Sequence, residues 1–101
     1  MDKIEIIVYI TFMGPEIVCT PSAFKHGVSE ADIRWAVRTL ICDVLIDEYE
    51  NKYAIIGFDT KGNVIEVMYN LINDQLIKVF HAMKCRESFR KKYAIKGEDH
   101  G

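Results

Sequence analysis

The sequence has few cysteines, and they are not arranged to pair. Cys19, Cys42 and Cys85 are odd in number, far apart and free of any Cys-x-x-Cys spacing. That argues against a disulfide scaffold and for a reducing cytoplasm as the expected location. The three histidines, His26, His81 and His100, have no cysteine or acid beside them at a zinc-ligand spacing, so neither a metal site nor a cofactor is expected. Long hydrophobic runs are missing too. The most apolar stretch, Ile4 to Met13, is about ten residues long and is interrupted by Glu5, whereas a membrane span needs about twenty. It also lacks the small-residue cleavage pattern of a signal peptide. Nothing repeats and no segment is of low complexity.

What is present is enough for one globular domain over 1–101, since half of the residues are apolar and 28% are charged. Ile4, Ile6, Ile7, Val8, Tyr9, Ile10 and Phe12 are β-branched or aromatic, so residues 1–13 read as a strand-like extension. Gly14-Pro15 breaks it, and Glu16 to Thr20 is a second extended piece. Pro21 suits the first position of a helical turn capped by Thr20, running Ser22 to His26 and closed by Gly27. Ser29 caps a second helix, with Asp32 in the capping-box position. Its buried stripe is Ile33, Ala36, Val37, Leu40 and Ile41, with Asp32, Arg34 and Arg38 outside and Trp35 at the edge of the core.

From Asp43 the hydrophobic period becomes two. Val44 to Tyr49 and Tyr53 to Asp59 are strands joined by Glu50-Asn51-Lys52. Asp59-Thr60-Lys61-Gly62 forms a tight turn, Asn63 to Leu71 a third strand, and a turn near Asn73-Asp74 leads to a strand ending at His81. The expected fold is α+β: an antiparallel sheet of about four consecutive strands, preceded by two short helices and followed by a basic C-terminal helix. Residues 97–101 are expected to be a loose tail. On the last two strands Ile65, Val67, Tyr69, Ile77 and Val79 form an apolar row for the helices, and His81 continues that row by parity. Glu66 and Lys78 mark solvent on the other face. Val64, Met68, Leu76 and Phe80 share that second face as an apolar patch for a covering element: a partner, the N-terminal strand or a second copy of the chain.

Charge is unevenly distributed. Residues 84–96 hold six Lys or Arg against one Glu, so a chain at −2 overall carries +5 there and about −7 elsewhere. Arg86, Arg90 and Tyr93 fall on one stripe at helical spacing, with Lys84, Lys91 and Lys92 around them. Cations near a helix C-terminus are also favourable simply as a solvated end. The functional alternative is a helix that presents its charge to an anion.

The order of elements, together with Lys25-His26-Gly27-Val28-Ser29, Ile55-Ile56-Gly57, Val64-Ile65-Glu66-Val67-Met68-Tyr69, Val79-Phe80-His81-Ala82 and Arg86-Glu87-Ser88-Phe89-Arg90-Lys91-Lys92-Tyr93, resembles the BrnT-type toxins of bacterial type II toxin–antitoxin modules. These belong to the broader RelE/ParE-like ribonuclease-toxin fold. The resemblance spans roughly residues 20 to 93, so Met13 offers an alternative start. It implies a RelE-like domain that cleaves mRNA without a metal and is silenced by a cognate antitoxin, itself a small DNA-binding protein. A homodimer or a toxin–antitoxin hetero-oligomer is the assembly it implies. Lys25, His26, Arg86, Arg90 and Tyr93 match positions that the family keeps. Two places depart: His81-Ala82-Met83 stands where the family has Ser-Ala-Arg, and Cys19-Thr20-Pro21 where it has a Trp-Asp opening. They bear on the catalytic residues more than on the fold.

RNA cleavage without a metal needs a base for the 2′-hydroxyl, an acid for the leaving 5′-oxygen and cations around phosphorus. His81 is the first acid–base candidate because an unperturbed imidazole titrates near neutral pH; a plain strand-end histidine is its alternative. Arg86 and Arg90 would hold the phosphate, preferably as bidentate forks. Lys25 and His26 would add a cation or a proton, His26 serving otherwise as a helix-end residue that bonds carbonyls before Gly27. Lys84, Lys91 and Lys92 would bind the RNA backbone and Tyr93 would stack on a base. The competing class is a degenerate, non-catalytic toxin fold that binds nucleic acid or a protein through the Val64/Met68/Leu76/Phe80 face.

Overall fold

Alternating β-branched and aromatic residues from Cys42 onward produce four strands in succession, each hydrogen-bonded to the next in antiparallel fashion: β2 (Cys42–Asp47), β3 (Lys52–Phe58), β4 (Val64–Asn73) and β5 (Leu76–Lys84). A computed structural model of the chain describes residues 14–93; the extension expected at 1–13 and the tail expected at 97–101 lie outside them. The extended piece after Gly14-Pro15 becomes β1 (Glu16–Cys19) and adds to the outer edge of β5 in parallel, Ile17 opposite Ile77 and Cys19 opposite Val79. The architecture is therefore α+β with a five-stranded mixed sheet, order β1-β5-β4-β3-β2. The expected all-antiparallel, four-strand sheet is corrected at this edge. Among the described residues no helix is long and apolar enough to cross a membrane.

A 3-10 turn, Pro21–Phe24, follows β1 with Pro at its start, and Gly27 then takes a φ of 83° that favours glycine. Thr20 does not cap this turn through its side chain; its Oγ1 meets Ser22 Oγ and the Val79 carbonyl instead. Helix α1 (Glu30–Arg38) begins as expected, with Ser29 Oγ accepting from the Asp32 amide at 3.1 Å. Asp32 does not return the bond. Its Oδ1 accepts from Thr60 N at 2.9 Å and Thr60 Oγ1 at 2.6 Å, which ties the start of α1 to the β3–β4 turn. These bonds hold its carboxyl below the usual carboxylate range.

α1 is shorter than its apolar stripe. Thr39 Oγ1 donates to the Trp35 carbonyl and accepts from the Phe58 amide, so the chain leaves the helix there. Leu40 and Ile41 consequently stand 44% and 39% exposed instead of completing the buried face. Ile33, Ala36 and Val37 do enter the core, against Ile55 and the row Ile65, Val67, Tyr69, Ile77 and Val79 read from the sequence. Full burial of one such aliphatic side chain is worth about 1.5–3 kcal/mol. Gly57 sits directly beneath Ala36: any side chain there would run into the Ala36 carbonyl, so this strand position fixes how closely α1 approaches.

The pairing of β4 with β5 is interrupted. Met68 faces His81 but Tyr69 faces Val79, which leaves Phe80 as an extra residue on β5. Such a bulge reverses the side on which every later side chain points. Ala82 takes the core position opposite Val67, and His81 moves to the second face beside Met68 and Glu66. The sequence parity that put His81 in the core-facing row is thus corrected. The bulge is anchored from the neighbouring segment by Ser22 Oγ, which donates to the Phe80 carbonyl at 2.7 Å, while Thr20 N donates to the Val79 carbonyl at 2.9 Å.

Candidate functional site

Glu66 is the centre of the second face. It does not mark solvent, as its place in the strand pattern had indicated; it is fully buried. Oε1 accepts from the Arg86 backbone N and from Arg86 Nε, both at 3.1 Å. Oε2 accepts from Arg86 Nη2 at 2.6 Å and lies 3.0 Å from His81 Nε2. Burial alone would raise the Glu66 pKa, but the bonds from Arg86 and His81 outweigh it and hold the carboxyl below its ordinary value. The same contacts push the Arg86 guanidinium further towards its charged form. A buried carboxylate survives only when its oxygens are matched in this way. Among the described residues no buried side-chain N or O atom lacks a partner.

Arg86 stands between β5 and α2 (Glu87–Tyr93), outside the helix that was expected to carry it. Lys84 ends β5, so the basic helix is seven residues long over the described chain and begins later than its charge pattern suggested. An ionised carboxylate only accepts, so Nε2 of His81 carries the proton and Nδ1 is the position free to take another. The ring of His26 meets that of His81 edge to face, with centroids 5.4 Å apart. An imidazole oriented by a carboxylate, beside a guanidinium and a second imidazole, is equipped to move protons next to an anion.

The remaining candidates divide between two hollows. His26, Lys84 and Arg90 line a cleft of about 590 Å³ at the C-terminal end of β5, together with Asp59 and Asn63 of the β3–β4 turn and with Val28, Val64 and Ile65. Arg86, Tyr93 and Lys92 line a shallower hollow of about 240 Å³ with Met68, Phe89 and Ile46. The expected stripe of Arg86, Arg90 and Tyr93 is therefore split, Arg90 turning to the cleft and Tyr93 to the hollow. Tyr93 packs edge to face on Phe89 with centroids 4.8 Å apart, and the Lys92 ammonium lies 5.2 Å from the Tyr93 ring. Lys91 is exposed and 3.8 Å from Glu87. Lys25 is exposed and is not among the residues that line the cleft.

The four residues of the apolar patch have different surroundings. Val64 belongs to the cleft and Met68 to the hollow beside α2, whereas Phe80 lies under the Lys52 ammonium at 5.8 Å; Leu76 is half-buried. Cys85 is buried, and burial pushes its thiol up to about 11. On the far side of α1, Arg34, Arg38 and Leu40 help line a separate cavity of about 400 Å³, in which Arg34 Nη2 is held by Glu30 and the Ile17 carbonyl.

Glu66 is the site residue that sequence reasoning missed. Its one signal was a single acid inside Val64-Ile65-Glu66-Val67-Met68, a strand whose alternate positions are otherwise apolar on both sides. Comparison of the chain with protein-family models, with curated proteins and with solved structures finds no match to any of the three.

Proposed function

We propose that the chain is the toxin of a type II toxin–antitoxin module and acts as a metal-independent mRNA endoribonuclease in the cytoplasm, held silent by a small DNA-binding antitoxin. The observation that supports this reading best is the buried Glu66 carboxylate shared by Arg86 and His81, with His26 5.4 Å from His81 ring to ring. His81 takes the 2′-hydroxyl proton at Nδ1 while Glu66 holds Nε2. The 2′-oxygen bonds to phosphorus, the bond to the 5′-oxygen breaks, and His26 returns a proton to that leaving oxygen. The products are a 2′,3′-cyclic phosphate and a 5′-hydroxyl end. Arg86 supplies positive charge to the pentavalent phosphorus.

A specific observation favours a second reading, in which the chain binds nucleic acid or a protein without cutting. Nε and Nη2 of Arg86 are both committed to Glu66, so its fork is not free for a bidentate phosphate contact. Met83 also replaces the arginine of the resembled family. Single-turnover cleavage of an end-labelled RNA by the purified chain with a chelator present decides between them. Cleavage that falls about a hundredfold in His81→Ala supports the ribonuclease, a loss typical of one acid–base group. Wild type no faster than buffer removes it and leaves the binding module.

A further inference from the structure

The catalytic reading uses only the Glu66–His81–Arg86 group and the His26 ring; it gives no work to the far end of the cleft that His26 also enters. The lining of that cleft combines cations with acceptors: Lys84, Arg90 and His26 together with Asp59 and Asn63 of the β3–β4 turn. Asp59 is ionised and rigid: Oδ1 accepts from Lys61 N at 2.9 Å and Asn63 N at 2.8 Å, and Oδ2 from Asn63 Nδ2 at 3.1 Å. A carboxylate has about four lone-pair positions, so one side of Asp59 stays open, as does the Asn63 side-chain oxygen. Val28 and Val64 add half-buried apolar walls.

We propose that this cleft is a nucleotide subsite, which rests on the ribonuclease reading only for its role: it seats the RNA nucleotide next to the one being cut. The phosphate lies on Lys84 and Arg90, the base lies against Val28 and Val64, and an amino group on the base edge donates to Asp59 or Asn63. A cavity of about 590 Å³ falls within the 300–1,000 Å³ usual for small-molecule sites. His26 both lines the cleft and meets the His81 ring with centroids 5.4 Å apart, so the subsite adjoins the reacting phosphate. Lys84, three residues beyond His81 on β5, points to the other face of the strand. A lining that combines cations with acceptors fits adenine, cytosine or guanine, whose edges carry amino donors, better than uracil.

The test uses a ligand with no phosphodiester to cut. Adenosine 3′,5′-bisphosphate is titrated into the full-length, methyl-labelled chain and followed by NMR. Saturable shifts at Val28 and Val64 are expected, with a weaker response to uridine 3′,5′-bisphosphate and an affinity about tenfold lower in Arg90→Ala, the loss of one charge-assisted phosphate contact. Lys84→Gln, at an exposed strand end, gives the same loss should Arg90→Ala prove unfolded. Shifts confined to the Met68–Tyr93 hollow, or none, would overturn the subsite. So would equal shifts from a tetraglutamate peptide, which would make the cleft a dock for an acidic protein segment. RNA cleavage without bisphosphate binding leaves the ribonuclease and removes the subsite; binding without cleavage does the reverse.

Discussion

Arg86 grips Glu66 with both side chain and main chain: Nε and the backbone N reach Oε1 at 3.1 Å, and Nη2 reaches Oε2 at 2.6 Å. The carboxylate is buried while the arginine side chain is half exposed, which makes the pair asymmetric. Glu66 needs Arg86 for its charge to be tolerated; Arg86 can keep its charge in water alone.

That asymmetry predicts the outcome of cutting the pair from either side. Arg86→Ala strands a buried carboxylate with His81 and one amide, and stability should fall by about 2 kcal/mol, below the 3–5 kcal/mol of a fully buried pair because the guanidinium is half solvated. Glu66→Gln keeps shape and partners and should cost less. Urea denaturation of both variants checks this, and an unchanged midpoint for Arg86→Ala would show that the pair contributes nothing. The same loss means that any activity measured for Arg86→Ala has to be read beside its stability.

The Glu66 pKa gives the acid limb of stability its direction. The folded value lies below the ordinary 4.5, so the native state binds fewer protons than the unfolded chain. The stabilisation is fully present above about pH 4.5 and is lost as the pH falls from there through the lower, folded value. Thermal melts should therefore drop more steeply below pH 4.5 in wild type than in Glu66→Gln. Parallel curves for the two would mean that another carboxyl controls the acid transition.

Gly57→Ala should be among the most harmful small substitutions in the described chain. Its methyl would meet the Ala36 backbone carbonyl, which cannot rotate away, so α1 must lift off the sheet. The penalty should be at least the 1–3 kcal/mol of ordinary overpacking. A Tm within a degree of wild type would show that the helix is not seated on this strand.

How far the sequence revealed this molecule depends on whether the information was local. Strands β2 to β5, the Ser29 cap and the Gly62 turn were legible because side-chain alternation and turn chemistry are short-range signals. β1 was read as extended but could not be placed, since its partner lies about sixty residues away and four residues carry no record of which edge they join. The bulge at Phe80 was invisible because an extra residue leaves the apolar pattern intact until the register on β4 is known. That single residue moved His81 from the core row to Glu66. His81, His26 and Arg86 were read as separate candidates, and Glu66, the partner of His81 and Arg86, was hidden by the habit of reading an acid in a strand as solvent-facing.

RNA affinity and chemistry should separate by residue. Lys92 lies over Tyr93 with no acidic partner in contact among the described residues, whereas Lys91 faces Glu87 at 3.8 Å. Each phosphate contact on a single strand contributes about 0.7 to the slope of log affinity against log salt. Lys92→Ala should reduce that slope by about this amount, and Lys91→Ala by less, because its charge is already partly answered by Glu87. His81→Ala should leave the salt slope unchanged and instead lower the single-turnover cleavage rate by about a hundredfold, the loss of one acid–base group. The measurement is RNA affinity by fluorescence anisotropy over a salt series, paired with single-turnover rates for the same three variants. Equal slope changes for both lysines would deny that the Glu87 contact matters. A His81→Ala rate equal to that of wild type would assign the proton transfer to His26 or elsewhere.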